Sequence, residues 1–235
     1  MFHGNRHHED YETRLRWLWS GHVGLTVLTV ATAVLTFVVL PFDVLALPGR
    51  VVVDVLMAAL LILGAHATTR SRATMLVVIG LVVVTGATLI VDRMWPRALI
   101  TRASTLMSMI TLVVYVGIVL MITFRKGPMN WYRIQGGVCA YMLIGLAWGA
   151  AFDCVEDIQP GSFHFVSAPH TADQLTWKLT YFSFSTLTSM GIGDVTPILS
   201  LARSVTIAEA IVGQLFPAIL VAILVAMALQ SQGKK

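Results

Sequence analysis

Thr186-Leu187-Thr188-Ser189-Met190-Gly191-Ile192-Gly193-Asp194-Val195-Thr196-Pro197 decides how the rest of the chain is read. Two glycines flank one apolar residue and Asp194 follows at once. Glycine reaches φ > 0 at little steric cost, so a ribbon with alternating glycines can aim successive carbonyls at one axis. Alone, such a pair fits ordinary turns and nucleotide-binding loops as well. Here it follows the aromatic, hydroxyl-rich run Trp177 to Ser185 and precedes an apolar stretch from Leu201 to Gln230, which sets it within the last membrane hairpin.

Composition agrees with that placement. The chain of 235 residues is 57% hydrophobic and 12% charged, and its apolar runs are too long for soluble core helices. The net charge of +4 does not point to nucleic acid, because most basic residues sit at the edges of apolar runs, where they meet lipid headgroups. Cys139 and Cys154 fall on one expected helix, about 22 Å apart at the helical rise, beyond disulfide reach within one subunit. No nucleophile, base and acid grouping and no metal-ligand spacing appears in the spans, so enzyme chemistry has no support.

Outward from the glycine loop, the order of segments predicts an all-α polytopic protein with six transmembrane helices. Residues 1–20 form a cytoplasmic interfacial leader, in which His3, His7 and His8 read as a solvated tail. A four-helix membrane domain occupies 21–124, with spans at Val23–Leu40, about Leu47–His66, Ala73–Val91 and Ala103–Phe124. Asp54 in the second span has Arg50 one turn earlier, the spacing of an ion pair. Asp92, Arg93 and Arg97 are expected in an outer loop. A short connector, 125–133, is broken by Gly127-Pro128 and leaves no room for a lever helix.

Residues 134–235 then make a second membrane domain. Its first helix, Tyr132–Phe152, is rich in small residues that permit close approach and is expected to stop at Asp153. Residues 156–173 are an outer turret with a turn at Pro160-Gly161-Ser162-Phe163. Gln174–Thr188 has the length of a helix that enters partway, and Leu201–Gln230 spans the membrane with bend points at Gly213 and Pro217. With both termini cytoplasmic, ten of the sixteen Lys and Arg lie on inner segments and six on outer ones (Arg50, Arg93, Arg97, Arg102, Lys178 and Arg203). That bias follows the positive-inside rule and predicts a multi-pass inner-membrane protein.

The glycine loop resembles the pore loop of the potassium-channel family, whose pattern is T-x-T-T-V-G-Y-G-D. Ser189, Met190 and Ile192 stand where that pattern has Thr, Val and Tyr. Residues 181–229 resemble the pore module of bacterial ion channels in the two-helix pore superfamily; upstream the likeness is one of layout. The resemblance implies a homotetramer, since one chain supplies one filter strand. It implies a filter made by Thr188, Ser189, Met190, Gly191, Ile192 and Gly193, in which the carbonyls of Ser189, Met190, Gly191 and Ile192 replace the hydration shell of a monovalent cation. Support from Asp194, Ser185, Thr186 and Glu209, and a gate or hinge at Gly213, Gln214 and Pro217, complete the expected site. For Glu209 two readings stand: a neutral structural hydrogen bond, or a brace on the loop through hydroxyls such as Thr186 or Ser185, whose strength changes when the carboxyl is protonated.

Potassium is the permeant ion the resemblance implies, with sodium admitted if the three departures loosen the filter. Beyond the permeant ion no cofactor is expected, and the expected partners are other copies of the chain and lipid. Six residues after Leu229 are too few for a soluble ligand-binding domain. A voltage sensor needs an arginine at every third position, and none lies between Arg102 and Arg125, so conventional voltage sensing is not expected. The alternatives are a nonselective monovalent cation channel, a transporter with a filter-like binding loop, and a non-conducting accessory membrane protein. A transporter predicts an internal repeat of broken helices, which is not visible; an accessory protein does not require Gly191 and Gly193.

Overall fold

A computed structural model describes residues 29, 30, 32–34, 72–95, 98–124 and 131–232. The histidine-bearing leader, most of the first two spans, the Arg50 and Asp54 pair and connector residues 125–130 lie outside the described residues. Seven elements follow in order: α1 (Arg72–Met94), α2 (Ala98–Thr123), α3 (Trp131–Ile158), β1 (Phe163–Phe165), α4 (Ala172–Leu187), β2 (Val195–Pro197) and α5 (Ser200–Gln232). The fold is mostly helical, with two short strands added to the expected helices.

Among the described residues three helices are long and apolar enough to cross a membrane, at Leu99–Met121, Arg133–Ile158 and Ser200–Met227. They differ in how much protein covers them: 72% of the α3 window is buried, against 6% of the α5 window. Thus α3 is the central post of the subunit. Glycines let its neighbours come close. A Cβ at Gly145 would stand 2.7 Å from Phe184 of α4, and one at Gly137 would stand 2.7 Å from Leu220 of α5. From the start of the chain, the Thr29 hydroxyl donates to Gln135 O at 3.4 Å, bringing the first apolar run against α3.

On the other side, α1 and α2 form a hairpin pinned by hydroxyls. Thr85 Oγ1 and Thr111 Oγ1 are 2.7 Å apart, and Asp92 accepts from Thr101 Oγ1 at 2.6 Å. Asp92 and Arg93 lie within α1 and not in a loop. The carboxylate of Asp92 meets the first turn of α2, where a negative charge faces the positive end of the helix dipole.

Helix α3 continues past Asp153 to Ile158, against the expectation that Asp153 ends it. Asp153 is buried, and the polar groups of the extra turn find partners on α2. Thr105 Oγ1 donates to Asp157 Oδ2 at 2.9 Å, and Arg102 Nε donates to Asp157 O at 3.2 Å. These bonds join α2 to the C-terminal end of α3 in the same chain.

The turn after α3 is as expected at Gly161, whose φ of +84° suits glycine and whose N–H is accepted by Glu156 Oε1 at 2.7 Å. The turret beyond it is less irregular than expected. Strand β1 runs antiparallel to β2, pairing Phe163 with Pro197, His164 with Thr196 and Phe165 with Val195. The turret is thereby tied to the residues that leave the glycine loop. Beneath this ribbon lies an aromatic core: Phe152, Phe163 and Phe182 have ring centroids 5.1–5.6 Å apart. Leu179, Val195 and Ala202 complete it, so α3, α4, α5 and both strands share one anchor.

Candidate functional site

Helix α4 is capped by Thr171-Ala172-Asp173-Gln174, a start signal that lies mostly ahead of the expected Gln174–Thr188 helix. The Thr171 hydroxyl accepts the Gln174 N–H at 3.2 Å, and Gln174 Oε1 in turn accepts the His170 N–H at 2.8 Å. This is close to a capping box, which meets N–H groups that a helix start leaves without partners. The helix begins two residues earlier than expected for that reason. At its other end the chain bends sharply into residues 188–194.

Ser185 holds that loop. Its carbonyl accepts from Met190 N at 2.8 Å and from Gly191 N at 3.2 Å, and its hydroxyl accepts from Ile192 N at 3.3 Å. Gly191 and Gly193 take φ of +58° and +87°, the left-handed region that glycine enters without a Cβ penalty. Ser189 also takes +58°, which costs a residue with a Cβ on the order of 1–2 kcal/mol. The Thr188 hydroxyl turns back to donate to Phe184 O at 2.7 Å. Met190 and Ile192 are 67% and 53% exposed in the single chain, so their side chains face away from their own subunit's core.

The C-terminal end of the loop is held by Asp194. Its backbone carbonyl accepts from Val166 N at 3.0 Å, continuing the β1 and β2 ribbon, and its Oδ1 accepts from Val195 N at 3.1 Å. Its carboxylate is also the negative group beside the Tyr181 phenol. Partial burial, together with that neighbouring negative charge, raises the Tyr181 phenol above its ordinary value.

The N-terminal end of the loop meets α5. Gln214 Nε2 donates to Ser189 Oγ at 2.5 Å, so Gln214 bonds to the loop. A Cβ at Gly213 would overlap the carbonyl oxygen of Leu187, the last residue of α4. Tyr141 of α3 donates to the same carbonyl at 3.0 Å. Pro217 lies inside α5 and has no N–H, so the Gly213 carbonyl lacks its usual helical donor four residues on.

Glu209 is fully buried, but its partner is Ser183 and neither Thr186 nor Ser185. The register of α4 explains the correction: Ser183 turns toward α3 and α5, whereas Ser185 turns into the loop. Ser183 Oγ lies 2.5 Å from Glu209 Oε1 and 2.7 Å from Gly145 O. The Glu209 Oε2 has no hydrogen-bond partner among the described residues.

A long apolar helix, a helix a little over half its length, a glycine loop folded back on that helix, and a second long apolar helix follow one another in the chain. Residues 161–230, from the turret turn to the end of α5, match the family model described as "Ion channel", which supports an ion-channel family for this part of the chain. No curated protein and no solved structure matches the chain. No group of His, Cys, Asp and Glu that could hold a metal ion occurs among the described residues.

Proposed function

We propose that the protein is a cation channel in which four copies surround one axis and residues 188–193 of each supply the carbonyls of a potassium filter. The observation that carries this reading is the loop itself. Gly191 and Gly193 sit at positive φ, Ser185 binds three of the loop's N–H groups, and among the described residues no hydrogen bond takes a backbone carbonyl of residues 188–193. The nearly uncovered α5 supports assembly, because an apolar helix with 6% of its window buried needs other chains or lipid around it. Backbone carbonyls in place of water give selectivity among monovalent ions without a charged side chain at the site.

A nonselective cation pore is the second reading, favoured by Ser189. Its hydroxyl already accepts from Gln214, its backbone is left-handed and it lacks the methyl that stiffens a threonine rotamer, so it is a looser ligand for an innermost ion. Purified protein in planar bilayers, with potassium on one side and sodium on the other, separates the two. A reversal potential near the potassium equilibrium value is expected. A value near zero selects the nonselective pore, and the absence of current at every voltage rejects both.

A further inference from the structure

The contact between Glu209 and Ser183 has a hydrogen count that does not close if the carboxyl is ionised. Ser183 Oγ lies 2.7 Å from Gly145 O and 2.5 Å from Glu209 Oε1, and both side chains are fully buried. A serine hydroxyl has one hydrogen and two lone pairs, and a backbone carbonyl has no hydrogen to give. With an ionised carboxylate, one of these two short contacts would bring lone pairs face to face. With a carboxylic acid, each contact holds one hydrogen: Glu209 donates to Ser183 Oγ and Ser183 donates to Gly145 O.

The surroundings agree. Among the described residues no Lys, Arg or His pairs with Glu209. Its second oxygen has no partner, an arrangement far more costly for a charged oxygen than for a neutral one. From α3 the ionisable group facing Glu209 is Tyr141, and its hydroxyl is committed to Leu187 O. On α4 the charged residues, Asp173 and Lys178, lie toward the N-terminus, where Lys178 donates to Ser167 O. On α5 the described cation is Arg203, at the N-terminal end, with its Nε on Pro197 O.

We propose that Glu209 keeps its carboxyl proton and donates it to Ser183, so that one O–H chain runs from α5 through α4 to Gly145 of α3. Glu209 is then a positioning residue. It holds α4 between its two flanking helices, one turn above the places where Gly213 meets Leu187 and Gln214 meets Ser189. A loss at Glu209 is therefore transmitted to the glycine loop. The effect on current rests on the channel reading given above; the proton assignment does not.

The test uses the full chain in lipid bilayers and infrared difference spectra of wild type against Glu209→Gln. The expected result is the loss of one protonated-carboxyl C=O band, and a shift of that band in Ser183→Ala, where its acceptor is gone. Loss of a carboxylate signal instead, or an acid band unmoved in Ser183→Ala, overturns the assignment. In current recordings Glu209→Gln, which is neutral and keeps a donor, is expected to pass severalfold more current than Glu209→Ala. Equal currents in the two variants overturn the positioning role. Should even wild type pass no current, the acid band still decides the proton, and the channel reading alone falls.

Discussion

Gly213 of α5 rests against the carbonyl of Leu187, the last residue of α4, so closely that any side chain at 213 would overlap backbone. A backbone carbonyl cannot turn aside as a flexible side chain can, so α5 itself would have to move. Gly213→Ala is therefore expected to lower stability by about 1–3 kcal/mol, the usual range for overpacking. It is also expected to displace Gln214 from Ser189. Thermal unfolding in detergent measures the first effect, and loss or alteration of single-channel current measures the second. A variant with wild-type melting and wild-type current shows that α5 shifts without consequence.

Ser185 separates the role of a side chain from that of a backbone group at one residue. Its carbonyl takes Met190 N and Gly191 N, and its hydroxyl takes Ile192 N. Ser185→Ala removes only the last bond, worth about 1 kcal/mol. The expected outcome is a protein that folds and conducts but discriminates less between potassium and sodium, because Ile192 is freed while Met190 and Gly191 stay held. A reversal potential unchanged from wild type excludes the hydroxyl from the filter's rigidity.

Tyr181 and Asp194 give a prediction in pH. Partial burial together with the neighbouring carboxylate raises the phenol's folded-state value above the ordinary value of about 10. A group raised in this way contributes its stability below the unfolded value and loses it as pH rises through the folded one. The contact is therefore intact at neutral and mildly alkaline pH and breaks only above the usual tyrosine range. Ultraviolet titration of wild type against Tyr181→Phe is expected to show one tyrosine ionising late, and Asp194→Asn is expected to bring it back toward its ordinary value. A Tyr181 that titrates normally in wild type removes that contact from the loop's C-terminal anchor.

Much of this was legible in the chain, for reasons that differ by element. The apolar runs of α2, α3 and α5 are long enough to declare themselves. Gly191 and Gly193 mark their loop because few other residues tolerate φ > 0. Ser185 was readable as support because it lies a few residues from what it holds. Long-range partners were harder. Phe163-His164-Phe165 alternates as a strand does, but three residues carry little signal until Val195-Thr196-Pro197 is seen beside them. Asp153 looked like a helix end because the Thr105 bond to Asp157 that steadies the extra turn comes from α2. Glu209 could be read as buried, yet its choice of Ser183 over Ser185 or Thr186 depends on how α4 and α5 cross, and local sequence does not encode that crossing.

Helix α2 carries the last prediction. It would be the sensor helix of a voltage-gated channel, but Arg102, in its second turn, is its one charged residue. That guanidinium is fastened to Asp157 O at the C-terminal end of α3, and Thr105 adds a second bond to the same residue. Moving one elementary charge through the whole field contributes about 2.3 kcal/mol per 100 mV, so a helix with a single, tethered arginine near one end can supply only a fraction of that. Conductance against voltage is expected to be shallow, with an effective charge below about one per subunit, and Arg102→Gln is expected to leave its slope unchanged. Tail currents over a wide voltage range measure that slope. A steep curve would require the charges that move to lie elsewhere than α2, whereas a shallow one leaves α2 as a fixed brace on the C-terminal end of α3.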